Sequence, residues 1–249
     1  MADGGHVPPP ASRLRTARPV AQLRQGRTDW YRIKNRADGS AEITIYDEIG
    51  YFGVTAADFM AELSRLDVER LDVRINSPGG DVADGWAIYN RLQQHPARVT
   101  TYVDGWAVSA ASTILQAGDR RVAAKASQTM IHEGWGVVIG GAADLRDAAD
   151  RLDQVNGVIA EMYADRAGGS VDDWRAAMEA ETWYTGDEAK AAGLVDEIAG
   201  EATVDNSWDL SIFAHAGREK APAPVIGDPD EFVFDAEAFA AAMREASNA

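Results

Sequence analysis

The chain has 249 residues, of which 24 are lysine or arginine and 40 are aspartate or glutamate, so its formal charge is -16. Hydrophobic residues make up 46% and aromatic residues 8%, as in an ordinary folded globular protein. The sequence contains no cysteine, which excludes a thiol nucleophile, disulfides and thiolate-held zinc or iron–sulfur clusters. The excess of negative charge argues against nucleic acid as a partner, because an acidic surface repels the phosphate backbone.

The two ends of the chain differ in composition from its middle. Residues 1–28 contain three consecutive prolines and several arginines but little apolar periodicity, which predicts a flexible basic arm. Residues 201–249 combine a linker rich in proline and glycine with an acidic tail that fits a short helix. We expect both ends to be peripheral to the fold. With no stretch of ~18 apolar residues and no secretory signal, no membrane span is expected and the predicted location is cytoplasmic.

Strand and helix patterns alternate in the domain predicted over residues 29–200. The predicted strands and helices are, in chain order, Ala41–Tyr46, Thr55–Leu66, Leu71–Ile75, Val82–Gln94, residues 98–103 and a helix that begins near Val108. Repeated β-α units with short connections predict an α/β domain with a largely parallel sheet. In such sheets, ligands and catalytic groups collect at the carboxyl ends of the strands.

One predicted helix is unusually long. From Ala142 to Arg166, apolar side chains recur at three- and four-residue spacings, which predicts an amphipathic helix of about 25 residues against the usual 11–12. The helix either packs its apolar face on the core of this domain or serves as an arm that packs on another subunit.

A candidate nucleophile follows the predicted strand at residues 98–103. After a turn centred on Gly105, a run of small residues opens a helix, and Ser109 falls in its first turn. Unpaired backbone N–H groups and the positive end of the helix dipole favour developing negative charge on an oxygen there. The alternative interpretation is that Ser109 is an N-cap or a small packing residue.

Two further segments bear on this interpretation. Pro78-Gly79-Gly80 ends a predicted strand, and paired glycines let the main chain turn sharply and point its N–H groups outward, where they could hold an oxyanion. The same tripeptide also makes ordinary turns. His132 follows a short apolar run at the end of another predicted strand, where a histidine is either structural or a general base.

A fourth segment supplies acidic residues near a predicted strand at residues 182–185 and a predicted helix at residues 187–193. A carboxylate is needed to hold a catalytic histidine in the right tautomer and to stabilise its imidazolium form. Spacing alone does not choose among four candidates, which are Glu179, Glu181, Asp187 and Glu188.

Taken together, these segments resemble the ClpP family of serine peptidases over about residues 29–200. The matching blocks, in the family's order and approximate spacing, are Ile75–Gly80, Gly105–Ser112, Met130–His132 and Glu188–Ile198. The resemblance implies an α/β fold of the ClpP/crotonase type, a β-α superhelix in which the predicted long helix is the family's handle. It also implies a homo-oligomer, heptameric rings in the family, that cleaves polypeptides without a metal or organic cofactor.

Carried over position by position, the resemblance makes Ser109 the nucleophile and His132 the general base and acid. It also implies the surroundings of the substrate: oxyanion-hole N–H groups from Gly80 and Ala110, and an extended substrate beside Pro78 and Gly79.

The family's aspartate position falls on Glu181, which is a departure from the pattern. The extra methylene changes the reach of the carboxylate, so either the backbone is displaced or another carboxylate serves. Relatives with Glu-Thr-Trp at this point resemble phage head-maturation proteases, and the basic arm differs from the short apolar start of a housekeeping ClpP. The predicted function is an ATP-independent serine endopeptidase that processes scaffold or capsid proteins. The alternatives are a proteolytic subunit fed by a Clp ATPase, an inactive ring subunit and a crotonase-like enzyme acting on CoA thioesters.

Overall fold

The computed structural model describes residues 31–50, 56–199, 213–215 and 217–224. The predicted basic arm at residues 1–28 and the acidic helix predicted near the C terminus lie outside the described residues. The strands are β1 Tyr31–Asn35, β2 Ser40–Ile45, β3 Arg70–Ser77, β4 Arg98–Val108, β5 Arg120–Ala124, β6 Gln128–Ile131, β7 Thr182–Thr185 and β8 Glu197–Ala199. The helices are α1 Ala56–Leu63, α2 Val82–Gln93, α3 Ala110–Leu115, α4 Ala142–Ala167, α5 Val171–Glu179, α6 Gly186–Ala191 and a 3-10 turn at Arg218–Lys220.

The described strands form one forked sheet. Its main path runs β1-β2-β3-β4-β5-β8, and every pair along it is parallel except β1 with β2. The last residues of β4, from Trp106 to Val108, leave β5 and pair instead with β6, which in turn pairs antiparallel with β7. The predicted α/β fold with a largely parallel sheet is therefore confirmed.

Alternating apolar residues explain why the central strands form. In β3, Leu71, Val73 and Ile75 are fully buried on one face, as the two-residue period of a strand requires. On the other face, Arg74 forms an ion pair with Asp104 of β4. Each buried aliphatic side chain contributes about 1.5–3 kcal/mol relative to its exposed state, so the register of β3 is fixed by its buried face.

The handle helix predicted from the sequence is α4, which has 26 residues. Its second half packs on the core through Ile159, Ala160 and Tyr163, whereas its first half is exposed, with Leu145 half in solvent. The interpretation of core packing therefore holds for the second half of α4, and packing of the exposed first half on another subunit stays a prediction. Neither α4 nor any other described helix combines the length and apolar character needed to cross a bilayer.

Part of the C-terminal tail packs on the domain. The Phe213 side chain is 7% exposed and joins Val108, Met130 and Trp183 in a small apolar cluster, and the backbone N–H of Arg218 donates to Gln128 of β6. For the described residues 213–215 and 217–224, this packing differs from the expectation of a peripheral tail, because the apolar ring of Phe213 is removed from water against β6 and β7.

A buried guanidinium joins the end of α4 to the sheet. Arg121 donates to the Gln116 side chain at 2.8 Å, to the carbonyl of Arg166 at 3.0 Å and to the carboxylate of Asp196 at 2.6 Å. Its side chain is only 8% exposed. A buried cation is stabilising only while its partners are in place. Arg121 of β5 therefore connects the end of α3, the end of α4 and the residue before β8.

Replacing Arg121 with alanine should lower the free energy of unfolding by about 2–4 kcal/mol, since buried acceptors lose a charged donor. The matched control is the neighbouring Arg120, whose ion pair with Glu197 is exposed and whose loss should cost under about 1 kcal/mol. Urea denaturation followed by circular dichroism measures both. Equal losses in the two variants would contradict this assignment.

Candidate active site

Ser109 occupies the sharp turn between β4 and α3. Its φ of 56° lies in the left-handed region, which non-glycine residues rarely adopt. The backbone N–H donates to the carbonyl of Met130 at 3.0 Å and so ties the turn to β6. The side chain does not cap α3; its Oγ lies 2.7 Å from Nε2 of His132. The hydroxyl is thus directed at an imidazole rather than at the helix it precedes.

A buried hydrogen-bond chain supports this turn from α4. The Ser112 hydroxyl donates to the carbonyl of Ser109 at 2.5 Å, and the Tyr163 hydroxyl lies 2.7 Å from Ser112 Oγ. With the Ser112 proton committed to Ser109, Tyr163 is the donor of the second bond. Burial raises the pKa of Tyr163 above its ordinary value, so its hydroxyl stays protonated and able to donate.

His132 directly follows β6, and its ring is partly open to a cleft. The loop after it is fixed by the N–H of Gly134, which donates to the buried Asn156 side chain of α4 at 2.7 Å. Burial lowers the pKa of His132 to about 4, and the negative charge of Glu181 acts weakly in the opposite direction. At neutral pH the imidazole is therefore uncharged and able to accept a proton from Ser109.

Glu181 lies near His132 but is hydrogen-bonded elsewhere. Its two carboxylate oxygens accept hydrogen bonds from the backbone N–H groups of Ala214 and His215, both at 2.7 Å. Among the described residues no hydrogen bond joins Glu181 to His132, so the carboxylate acts on the imidazole through its charge. Its own φ is 51°, a second non-glycine residue in the left-handed region beside the same imidazole.

The other three candidate carboxylates have different surroundings. Glu179 and Asp187 are exposed. Glu188 pairs with Arg218 and accepts the Thr185 N–H at the start of α6, and the Arg218 guanidinium is the main reason that its pKa falls to about 2. Of the four, Glu181 is the carboxylate whose charge acts on His132.

The glycine loop after β3 packs against the Ser109 turn. Ser77 Oγ accepts a hydrogen bond from the N–H of Gly79 at 3.1 Å and donates to the carbonyl of Asp47 in the loop after β2. At Gly79, where φ is 90°, an added Cβ would lie 2.7 Å from Cβ of Ser109 and 2.9 Å from the nitrogen of Ala110. The loop backbone therefore sits directly on the Ser109–Ala110 peptide, and no side chain fits between them.

These residues line one cleft of about 630 Å³. Pro78, Gly79, Gly80, Ser109, Ala110 and His132 all contribute to its wall. Its apolar lining includes Trp86, Val155 and Ile159, and two carboxylates, Glu48 and Asp81, also line the cleft. Burial raises the pKa of Glu48 to about 6. Within the described residues, no group of three or more potential ligands could hold a metal ion, and the arrangement is suited to acyl transfer through a serine.

Sequence reasoning missed several residues that support the site. For Tyr163 and Asn156 the sequence predicted only that they lie in a long helix. Each of them has a buried polar contact that fixes one side of the Ser109–His132 pair. A tyrosine on the buried face of a helix was the available signal, since a buried hydroxyl needs a partner. Phe213 carried no signal, because it lies in a segment of tail-like composition.

Comparison with known proteins gives consistent matches. Residues 24–202 match the family model described as Clp protease. The relatives include an ATP-dependent Clp protease proteolytic subunit of Bacteroides fragilis, 32% identical over 163 residues that are 61% of this chain and 79% of the relative. They also include an ATP-dependent Clp protease proteolytic subunit 2 of Corynebacterium diphtheriae, 30% identical over 179 residues that are 68% of this chain and 90% of the relative.

The acylation of Ser109 by a fluorophosphonate should depend on pH through the neutral imidazole of His132. Its rate should stay nearly constant at neutral pH and fall only as the pH drops through about 4, rather than through the value near 6.5 of an exposed histidine. In Glu181→Gln the acid limb should move to still lower pH, because the charge that raises the pKa of His132 is gone. A wild-type midpoint near 6.5, or an upward shift in Glu181→Gln, would contradict this account.

Removing the Tyr163 hydroxyl should loosen the Ser109 turn. Tyr163→Phe should slow fluorophosphonate labelling about 2- to 10-fold, the equivalent of one lost hydrogen bond. Ser112→Ala should have a similar effect, and the double variant should be little slower than either single one because the residues act in series. Tyr102→Phe, on the outer face of the sheet, is the control. An unchanged rate in Tyr163→Phe would exclude this role.

Proposed function

The chain belongs to the Clp protease family, and we propose that it hydrolyses polypeptides with Ser109 as the nucleophile and His132 as the general base. Family membership makes it a serine peptidase. The observation that supports these two residue roles is the 2.7 Å contact between Ser109 Oγ and His132 Nε2. Because burial keeps the imidazole neutral at physiological pH, it is ready to accept the serine proton.

The proposed reaction has two stages. Ser109 Oγ attacks the peptide carbonyl while its proton passes to Nε2 of His132, and the oxyanion of the tetrahedral intermediate accepts N–H groups from Gly80 and Ala110. The intermediate collapses with cleavage of the C–N bond as the imidazolium donates its proton to the leaving amine. Water then attacks the acyl-enzyme while the neutral imidazole takes its proton, and the imidazolium passes that proton to Ser109 Oγ as the ester bond breaks and the acid product leaves.

Glu181 is the proposed acid of this mechanism. Each stage forms an imidazolium transiently, and a nearby negative charge stabilises that state. Glu181 supplies such a charge without a direct hydrogen bond, as its effect on the pKa of His132 indicates. The contribution is electrostatic, and the orientation of the imidazole comes in part from the ring of Phe213.

The substrate proposed for this cleft is an extended polypeptide. It would lie beside Pro78 and Gly79, with its backbone able to hydrogen-bond to the loop. The apolar wall around Trp86 and Ile159 suits a hydrophobic side chain, since burying such a group is favourable. No cofactor takes part in this scheme.

The exposed apolar strip that follows His132 supports a proposal of self-association. Val137 is 76% exposed and Ile139 is 96% exposed, and they lead into the solvent-facing half of α4. Contiguous apolar residues on a surface mark an interaction site. We propose that a second copy of the chain covers this strip in a homo-oligomeric ring, as expected from the family resemblance.

For the biological role, we propose an ATP-independent phage-type endopeptidase that processes scaffold or capsid proteins. The support is the departure at Glu181 in the sequence Glu-Thr-Trp and the composition of the two tails. A second candidate is a proteolytic subunit that works with an ATP-driven unfoldase, which is the role that the names of the relatives give to those proteins. The contact between Ser109 and His132 disfavours an inactive subunit and a crotonase-like enzyme.

The full-length protein should react with a fluorophosphonate at Ser109 and hydrolyse an unfolded protein such as casein without ATP. Ser109→Ala should abolish both, while Ser64→Ala, an exposed serine on the surface, should retain both. A second assay separates the phage-type role from that of a subunit fed by an unfoldase. It measures cleavage of scaffold-like substrates and of folded substrates, each with and without an unfoldase and ATP. Turnover in Ser109→Ala would overturn the mechanism, and cleavage that requires the unfoldase would overturn the phage-type role.

A further inference from the structure

The described residues 213–215 and 217–221, called here the C-terminal segment, contact the site from outside the family match, which ends at residue 202. We propose that this segment is part of the catalytic machinery: it positions Glu181 and His132 for the reaction, and Arg218 is the positioning residue that anchors it. The inference rests on the proposed roles of Ser109 and His132.

The first contact is with the acid. The N–H groups of Ala214 and His215 each donate to a different oxygen of Glu181 at 2.7 Å. Hydrogen bonds to an ionised group are stronger than those between neutral groups, and a pair of them fixes both the position and the plane of the carboxylate. A glutamate has one more rotatable bond than an aspartate, so this clamp offsets the freedom that the longer side chain introduces.

The second contact is with the base. The ring of Phe213 meets the ring of His132 edge to face, with centroids 5.4 Å apart and planes at 78°. Phe213 also packs on Trp183 at 6.3 Å, so it is itself held by the β7 side of the sheet. The imidazole therefore has an aromatic wall on one side and Ser109 at its Nε2, and both limit its rotation.

The third contact is the anchor. The Arg218 guanidinium donates to both oxygens of Glu188 at 2.8 Å and 2.6 Å, and its backbone N–H donates to Gln128 Oε1 at 3.3 Å. Gly217, whose φ is 102°, turns the chain into this anchor. Neither Glu188 nor Gln128 belongs to the Ser109–His132 pair, so Arg218 acts on the site through the backbone that it holds.

Loosening the C-terminal segment should raise the pKa of His132. Loss of Phe213 from the imidazole lets water in and removes part of the burial that lowers the pKa of His132. Glu181 would also lose its fixed place, but burial is the larger influence. Of the other ionisable groups nearby, Tyr163 of α4 stays neutral, His215 belongs to the segment itself, and Glu133 is paired with Arg175 of α5 at 2.9 Å. The expected shift of the pKa is therefore upward.

The test compares Arg218→Gln with Arg218→Lys in the full-length protein, and Arg120→Gln, which breaks an exposed ion pair on β5, is the matched control. Arg218→Gln should lower kcat for a peptide substrate about 10- to 100-fold with little change in KM, the range expected for a misplaced catalytic group. Its acid limb should move to higher pH. Arg218→Lys, which keeps one charged contact to Glu188, should recover part of the loss.

A second measurement does not depend on turnover. The His132 imidazole is titrated by NMR in the wild type and in Arg218→Gln, with His132→Gln to assign the resonance and circular dichroism to show that the variants are folded. An upward shift of the His132 pKa in Arg218→Gln supports the proposal. An unchanged titration and kcat would overturn it, and so would a gain in activity, which would mean that the segment obstructs the site. Failure of wild-type Ser109 to label, with the titration shifted as expected, would overturn the proposed function alone.

Discussion

The hydrogen bond between a serine hydroxyl and a neutral imidazole is the contact on which the rest of the site depends. Ser109 reaches His132 only because β4 ends in a turn with a left-handed φ. Such backbone is costly by about 1–3 kcal/mol and persists where its surroundings impose it. Here the forked sheet imposes it: the end of β4 leaves β5 for β6, and the N–H of Ser109 is hydrogen-bonded to Met130, two residues before the imidazole. The proposed nucleophile and the proposed base thus follow adjacent strands of one sheet.

Two elements outside the sheet complete the geometry, namely helix α4 and the C-terminal segment. Helix α4 supports the Ser109 turn through Tyr163 and the loop after His132 through Asn156, so that one helix holds both sides of the site. The C-terminal segment contributes Phe213 and the two amides on Glu181. The electrostatics follow from this construction, because the same packing that orients the imidazole also removes water from it and keeps it uncharged.

Much of the fold was predictable, because its central elements have strong periodicity. Strand β3 and helices α2 and α4 lie within two residues of their predicted bounds, and the family match confirms the resemblance drawn from four short blocks. Strands β1, β5 and β8 were not predicted, since they are short and rich in charged or small residues. The extension of β4 beyond residue 103 was missed because its last part pairs with a different strand, a tertiary effect with no local signal. For the same reason the partners of Glu181, more than 30 residues away along the chain, could not be read from the pattern around it.

The close approach of Gly79 to the Ser109 turn has a practical consequence for engineering. A methyl group added at Gly79 would lie 2.6 Å from the carbonyl oxygen of Val108 and 2.9 Å from the nitrogen of Ala110. No residue larger than glycine therefore fits at this position. Mutant libraries designed to change the cleavage preference should therefore leave Gly79 unchanged. The aliphatic and indole surface formed by α2 and α4 is where randomisation can reshape recognition while the reacting atoms stay in register.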